Sequence, residues 1–219
     1  GDTRLTGLLP VIPMWRAYKV PLPALVSADP YGTLCTPLLD RDRAETAALE
    51  IMNQARAAGA HALILTAVAL DGPVMKAFRE ELRRDGLRPR LLQSHLRAAL
   101  DATRDADEML QEALGAKKLK ELRRQRNRLA EHGAVRFEAA RTPQEVITAL
   151  EMFLTLEASG WKARRGTALA QDAGDAAFIR RAAPALAANG QCEIISLRAG
   201  ETPVASGIVL RHGNRAFFF

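Results

Sequence analysis

The sequence predicts an α/β protein built on mixed sheets flanked by helices, and three observations lead there. Strand-like and helix-like segments alternate with short joints through the first half of the chain. The last part reads as a strand, two helices and an antiparallel meander, and a long basic helix stands between the two patterns. The composition agrees. Of 219 residues, 48% are hydrophobic and 26% charged, the balance of an ordinary globular chain, and aromatics at 5% favour helices packed with aliphatic side chains.

Taken in order, residues 5–12 (LTGLLPVI) form a strand pattern that follows Gly1-Asp2-Thr3 at once, as the second strand of a hairpin would. Pro10, Pro13, Pro21 and Pro23 then interrupt the backbone, since proline donates no ladder hydrogen bond. Asp29-Pro30-Tyr31-Gly32 is turn chemistry, and residues 33–39 (TLCTPLL) are a short strand broken by proline. Asp42 can cap a helix over 43–58, with Leu49, Met52 and Ala55 on its apolar face and Gly59 ending it. Residues 62–70 (ALILTAVAL) are a continuous apolar run, the pattern of a strand buried on both faces. Pro73 opens a helix to 84, with Val74, Phe78 and Leu82 at helical spacing and Gly86 as its stop. Residues 87–100 return as an extended segment, so this half reads β-β-α-β-α-β.

Residues 107–132 form one long helical stretch ended by Gly133, and 135–138 a short strand. Thr142-Pro143-Gln144-Glu145 is a helix start with Thr as cap, Pro at the first position and Glu at the third; that helix runs to 159. Residues 160–166 (GWKARRG) read as a loop, and 175–188 as a second helix. Strands at 192–197, 204–210 and 215–219 close the pattern as a meander. This half reads β-α-α-β-β-β. The other reads as the later part of a similar unit.

Net charge is +6, and residues 117–128 (KKLKELRRQRNR) carry all of it with seven Lys/Arg and one Glu; the other 207 residues hold 24 basic and 24 acidic side chains. Leu119, Leu122 and Leu129 mark a narrow apolar stripe on this helix. Two readings stand: a bridging helix with a solvated cationic face, or a surface for an anion such as donor phosphate, a nucleic-acid backbone or acidic lipid. No aromatic alternates with the cations and no base-reading motif is present, so nucleic acid is not expected except for tRNA. The stripe holds no Trp or Phe, which argues against a membrane anchor.

Cys35 and Cys192 sit in strand patterns far apart and match no zinc or redox spacing; they read as buried free thiols of a reducing compartment. His61, His95, His132 and His212 are isolated, so no metal is expected. No signal peptide, lipidation motif or membrane-length apolar run is present, and the expected location is cytoplasmic.

The strand, two helices and meander resemble the opening of the GNAT acyltransferase fold, and strand-helix-strand-helix-strand resembles its close. The basic helix 117–129, Gly133, Val135-Arg136-Phe137, Gly160-Trp161-Lys162 with Arg165-Gly166, Val204-Ala205-Ser206-Gly207 and Tyr31-Gly32 together resemble the CelD-type acetyltransferases associated with cellulose and polysaccharide biosynthesis. These pair two GNAT-like domains, as the more distant Fem-type peptidyltransferases do. The resemblance implies two tandem units, both incomplete in this chain. Residues 1–106 would be the C-terminal part of a first, degenerate unit, 107–133 a basic connecting helix, and 134–219 the N-terminal part of a second unit.

The implied activity is transfer of an acyl group from acetyl-CoA or another acyl-CoA to a small-molecule amine, such as an amino sugar or envelope precursor. Transfer is direct, with a backbone donor for the oxyanion, a base, and an acid for the leaving thiolate. Such enzymes bind the donor pyrophosphate at a helix N-terminus after the fourth strand. In the second unit that loop would follow Phe219. In the first the equivalent position is Asp40-Arg41-Asp42-Arg43-Ala44-Glu45, acidic and without glycine. A non-catalytic scaffold or anion-binding module, and an aminoacyl-tRNA-dependent Fem-like transferase, are the alternatives.

No catalytic or cofactor-binding residue is assigned at this level. The substrate or anion contacts expected are Trp161, Lys162 and Arg165, a ring among cations in a glycine-bounded loop; Tyr31 in its turn; and Lys120, Arg123 and Arg124 on the basic helix. The alternative for Trp161 is that it covers the helix pair while the cations stay solvated.

Overall fold

A computed structural model describes residues 4–28, 35–96 and 98–218. The turn at 29–32 with Tyr31, the first part of the 33–39 strand, Gly1-Asp2-Thr3 and Phe219 lie outside the described residues. The fold is mixed α/β and divides into two compact units, Gly1–Arg97 and Ala98–Phe219.

The first unit contains β1 (Gly7–Leu8), β2 (Val11–Pro13), α1 (Met14–Tyr18), β3 (Ala24–Ser27), β4 (Leu38–Leu39), α2 (Ala44–Ala57), β5 (Ala62–Ile64) and α3 (Pro73–Arg84). Strands β1 and β4 pair antiparallel, while β2, β3 and β5 form a second sheet in which β3 is antiparallel to β2 and parallel to β5. Helices α2 and α3 bury Ala48, Met52, Met75, Ala77 and Phe78 together, with Leu39, Ile51, Leu65, Val68 and Leu82 around them. Asp40 caps the turn before α2 by accepting from the Asp42 N–H, and it also pairs with Arg4.

Several expectations for this unit are corrected. The 5–12 strand is two short strands parted at Leu9 and Pro10. Helix α1 and strand β3 were read only as proline-broken backbone; Pro13 in fact serves as the cap before α1, and Pro21 and Pro23 lie in the bend leading into β3. The apolar run 62–70 is a strand only to Ile64 and is half-buried there, not buried on both faces. Its partner β3 ends at Ser27, whose Oγ accepts from the Thr66 N–H at 2.9 Å and so takes that group out of the ladder. Leu65 and Val68 still pack on the helices, from irregular backbone. Residues 87–96 and 98–100 form no strand, and Leu91, Leu92, Leu96 and Leu100 are exposed, since no neighbouring strand receives them. Cys35 is likewise outside any strand.

The second unit follows its expected order closely: α4 (Ala106–Ala130), β6 (Val135–Ala140), α5 (Pro143–Ser159), α6 (Trp161–Arg164), α7 (Ala173–Ala188), β7 (Cys192–Ala199), β8 (Thr202–His212) and β9 (Arg215–Phe218). The four strands form one antiparallel sheet in the order β6-β7-β8-β9. Ile194 and Ile208 face each other across β7 and β8, fully buried, on the side where Val146, Leu150 and Leu154 of α5 are also buried. Each such side chain contributes about 2 kcal/mol of burial. Helices α5 and α7 are tied at their surfaces by Arg180, bidentate to Glu151 at 2.7 and 2.9 Å.

Thr142 and Glu145 make the reciprocal cap expected of them: Glu145 N–H donates to Thr142 Oγ1 and the Thr142 N–H to Glu145 Oε2. Helix α4 is broken at Gly115, whose φ of 71° and ψ of 165° are not helical, so an acidic first part and a basic second part replace the single helix expected. Glycine permits that break without steric cost.

Candidate functional site

The segment 160–166 contains a one-turn helix, α6, where a loop was expected. Its shape depends on Glu157 at the end of α5. That carboxylate is almost wholly buried (5% exposed), so it needs partners. Lys162 Nζ lies 2.6 Å from Oε1, and the Leu169 N–H donates to Oε2 at 2.8 Å. The Thr167 N–H donates to the Lys162 carbonyl at 3.0 Å, and Gly166 turns the chain with φ of 70°. Gln171 closes the segment, donating to the Ala163 carbonyl and accepting from the Ala168 N–H.

With its underside held this way, the segment presents Trp161 outward at 57% exposure, and the Arg165 guanidinium sits 5.2 Å from the centre of its ring. The structure therefore brings Trp161 and Arg165 together as an exposed ring-and-cation pair, worth about 0.5–1 kcal/mol in itself. Lys162 goes elsewhere: its ammonium belongs to Glu157. Glu157 was missed from sequence, because an acid five residues before a lysine on a helix end carries no signal of its own.

A cleft of about 640 Å³ opens on the helix-covered side of the sheet, between α5 and strands β6 to β8. Ile194 and Met152 give it an apolar floor; Glu138, Gln144, Thr148, Ser196 and Arg198 supply polar groups. Ser196 is buried and 3.2 Å from Ser206 Oγ, which also donates to the Ile195 carbonyl at 3.1 Å. Glu138 stands opposite Ser196 in the β6–β7 register, is exposed, and has no ion-pair partner among the described residues. Arg198 leans on the Met152 sulfur at 3.6 Å and donates to the Glu201 carbonyl. None of these was singled out from sequence, although alternation along 192–198 already sets Ile194, Ser196 and Arg198 on one face.

Lys120, Arg123 and Arg124 lie together on the exposed face of the second part of α4, beside Lys117 and Asn127. Arg124 is held by Glu121 at 2.8 Å, and the Glu121 carboxyl lies below its ordinary range because Arg124 and Gln125 hydrogen-bond it. The helix has no buried residue; Leu119 and Leu129 are half-buried and Leu122 is exposed. Tyr31, the remaining expected contact, is outside the described residues.

Two further groups are structural. Glu193 is buried on the opposite side of the sheet between Arg141 at 2.9 Å and Arg211 at 2.6 Å. Burial pushes its pKa up, but the hydrogen bonds from Arg211 and Arg141 outweigh that and hold it low. The neighbouring Cys192 thiol is buried and pushed up, by desolvation first and the Glu193 charge second. Among the described residues no group of three or more His, Cys, Asp or Glu could hold a metal ion, and no helix is long and apolar enough to cross a membrane.

Residues 116–219, from just past the Gly115 break through the sheet, match the family model of an acetyltransferase (GNAT) domain. No curated protein and no solved structure matches the chain.

Proposed function

We propose that the second unit serves acyl transfer from an acyl-CoA to an amine, in the manner of GNAT acetyltransferases. The observation that carries this is the family match over 116–219, which spans the β-α-α-β-β-β order beginning at β6. The cleft between α5 and the sheet supports an acceptor of small-molecule size. The amine nitrogen attacks the thioester carbonyl carbon, a C–N bond forms as the C–S bond breaks, and the proton lost by the amine ends on the departing thiolate. Glu138, exposed at the cleft without an ion-pair partner among the described residues, is the carboxylate we assign to take that proton from the amine and pass it on to the thiolate. Trp161 and Arg165 offer a ring face and a cation side by side, suited to a ligand with a planar or sugar ring beside an anionic group. The CelD-type resemblance extends the proposal to an amino sugar or envelope precursor as acceptor.

In the first unit, the Asp40 carboxylate caps the turn that leads into α2 and pairs with Arg4, and Glu45 stands in the first turn of α2, so the entrance to that helix carries negative charge that disfavours a donor phosphate. This supports reading that unit as a non-binding copy. The test is release of free thiol from acetyl-CoA in the presence of glucosamine, ethanolamine or lysine. Amine-dependent release that falls at least tenfold in Glu138→Gln, with KM for the donor unchanged, is expected. Amine-dependent release undiminished by the substitution would remove Glu138 from its role, and no release with any amine would count against acyl transfer.

A further inference from the structure

The basic half of α4 presents more charge than a connecting or packing role needs. At about 100° per residue, Lys117, Lys120, Arg123, Arg124 and Arg128 fall within an arc of about 140° and run about 16 Å along the axis. All five are exposed, and Glu121 is the one acid on that face, pairing with Arg124; the others have no acidic partner among the described residues. Like charges three and four residues apart destabilise a helix, and this one buries no side chain in compensation. The array therefore costs the fold stability that a bound polyanion would return.

We propose that this face docks the phosphate backbone of a nucleic-acid duplex, independently of sequence. Three features select that occupant. The cations form a row on a convex rod, with rises of about 4.5, 6 and 6 Å from Lys117 through Lys120 and Arg124 to Arg128, and so meet a line of charges and not a single anion. No aromatic ring stands on the face, which leaves unstacked single strands without a platform. An in-plane membrane helix needs a continuous apolar face, whereas here Arg126 falls among the leucines, and Leu119 and Leu129 are already half-buried. The proposal revises the sequence-based expectation, which weighed the absence of base-reading motifs; backbone docking requires none.

The test is fluorescence anisotropy of labelled 20-base-pair RNA and DNA duplexes with the whole chain between 50 and 200 mM KCl. Five phosphate contacts give a log–log slope of about −4.5, a loss of two to three orders of magnitude in affinity across that range. Lys117→Gln, Lys120→Gln, Arg123→Gln and Arg124→Gln together should bring the slope to about −1 with an unchanged helical circular-dichroism spectrum. Arg88→Gln with Arg90→Gln, which removes two exposed cations from the first unit, should leave it unaltered. No binding at 50 mM KCl overturns the proposal, as does equal loss in the Arg88/Arg90 variant. So does stronger binding to phosphatidylserine vesicles or to single strands than to duplexes. No acyl-CoA enters the measurement, so its outcome is separate from that of the acyl-transfer assay.

Discussion

Glu157 and Lys162 form the ion pair that shapes the Trp161 segment, with Nζ 2.6 Å from a carboxylate that is only 5% exposed. A buried charge that loses its partner is costly, and here the same carboxylate also receives the Leu169 N–H. Glu157→Ala is expected to destabilise the unit by about 2–4 kcal/mol and to shift the emission of Trp161, measured by urea unfolding and fluorescence. Lys162→Met should cost at least as much as Glu157→Ala, because it leaves the buried carboxylate with only the Leu169 N–H, whereas the Lys162 ammonium, the more exposed partner, can turn to solvent. An equal and negligible cost for both would show that the pair does not hold the segment.

The junction between α4 and β6 depends on Gly133. Its φ is 138°, and a Cβ there would lie 2.6 Å from the backbone nitrogen of Gly200 in the β7–β8 turn. That contact is with backbone, so no side-chain rotation relieves it. Gly133→Ala should lower stability by about 2–4 kcal/mol, whereas Gly213→Ala, with open space at its Cβ, should cost about 1 kcal/mol from its positive φ alone. Thermal unfolding of the two variants checks the order.

Glu193 links stability to pH. Its carboxyl is held below the ordinary carboxylate value of about 4.3 by Arg211 and Arg141 despite burial. A depressed folded-state pKa stabilises the fold above the unfolded value, and that contribution disappears as pH falls through the folded one. Melting temperature should therefore fall below about pH 4.3, with a shallower decline in Glu193→Gln. The same acid slope in wild type and variant would remove Glu193 as a contributor.

Cys192 should be inert in the folded protein, since both burial and the Glu193 charge oppose its thiolate. In a Cys35→Ser background, Ellman's reagent at pH 7 is expected to react with Cys192 only on unfolding. Rapid labelling under native conditions would contradict the packing described for β7.

The parts of the fold legible in sequence are those set by local chemistry. Thr142, Pro143 and Glu145 announce the start of α5 through a cap made within four residues, and Pro73 and Gly86 bracket α3. The meander is legible because alternation and glycine turns are themselves local. What escaped was decided by distant partners: Ser27 ends β5 through Thr66, and Leu91, Leu92, Leu96 and Leu100 find no neighbouring strand among the described residues. At the candidate site, Trp161 and Arg165 were visible as a ring beside a cation. The assignment of Lys162 to Glu157 was not, because burial of that carboxylate is a tertiary fact.

The central claim, an acyl-CoA donor, is tested most directly by isothermal titration of the protein with acetyl-CoA and with longer acyl-CoAs. Saturable one-to-one binding at about 1 µM to 1 mM, competed by free CoA, is the expected result. Absence of heat and of competition for every acyl-CoA would contradict it.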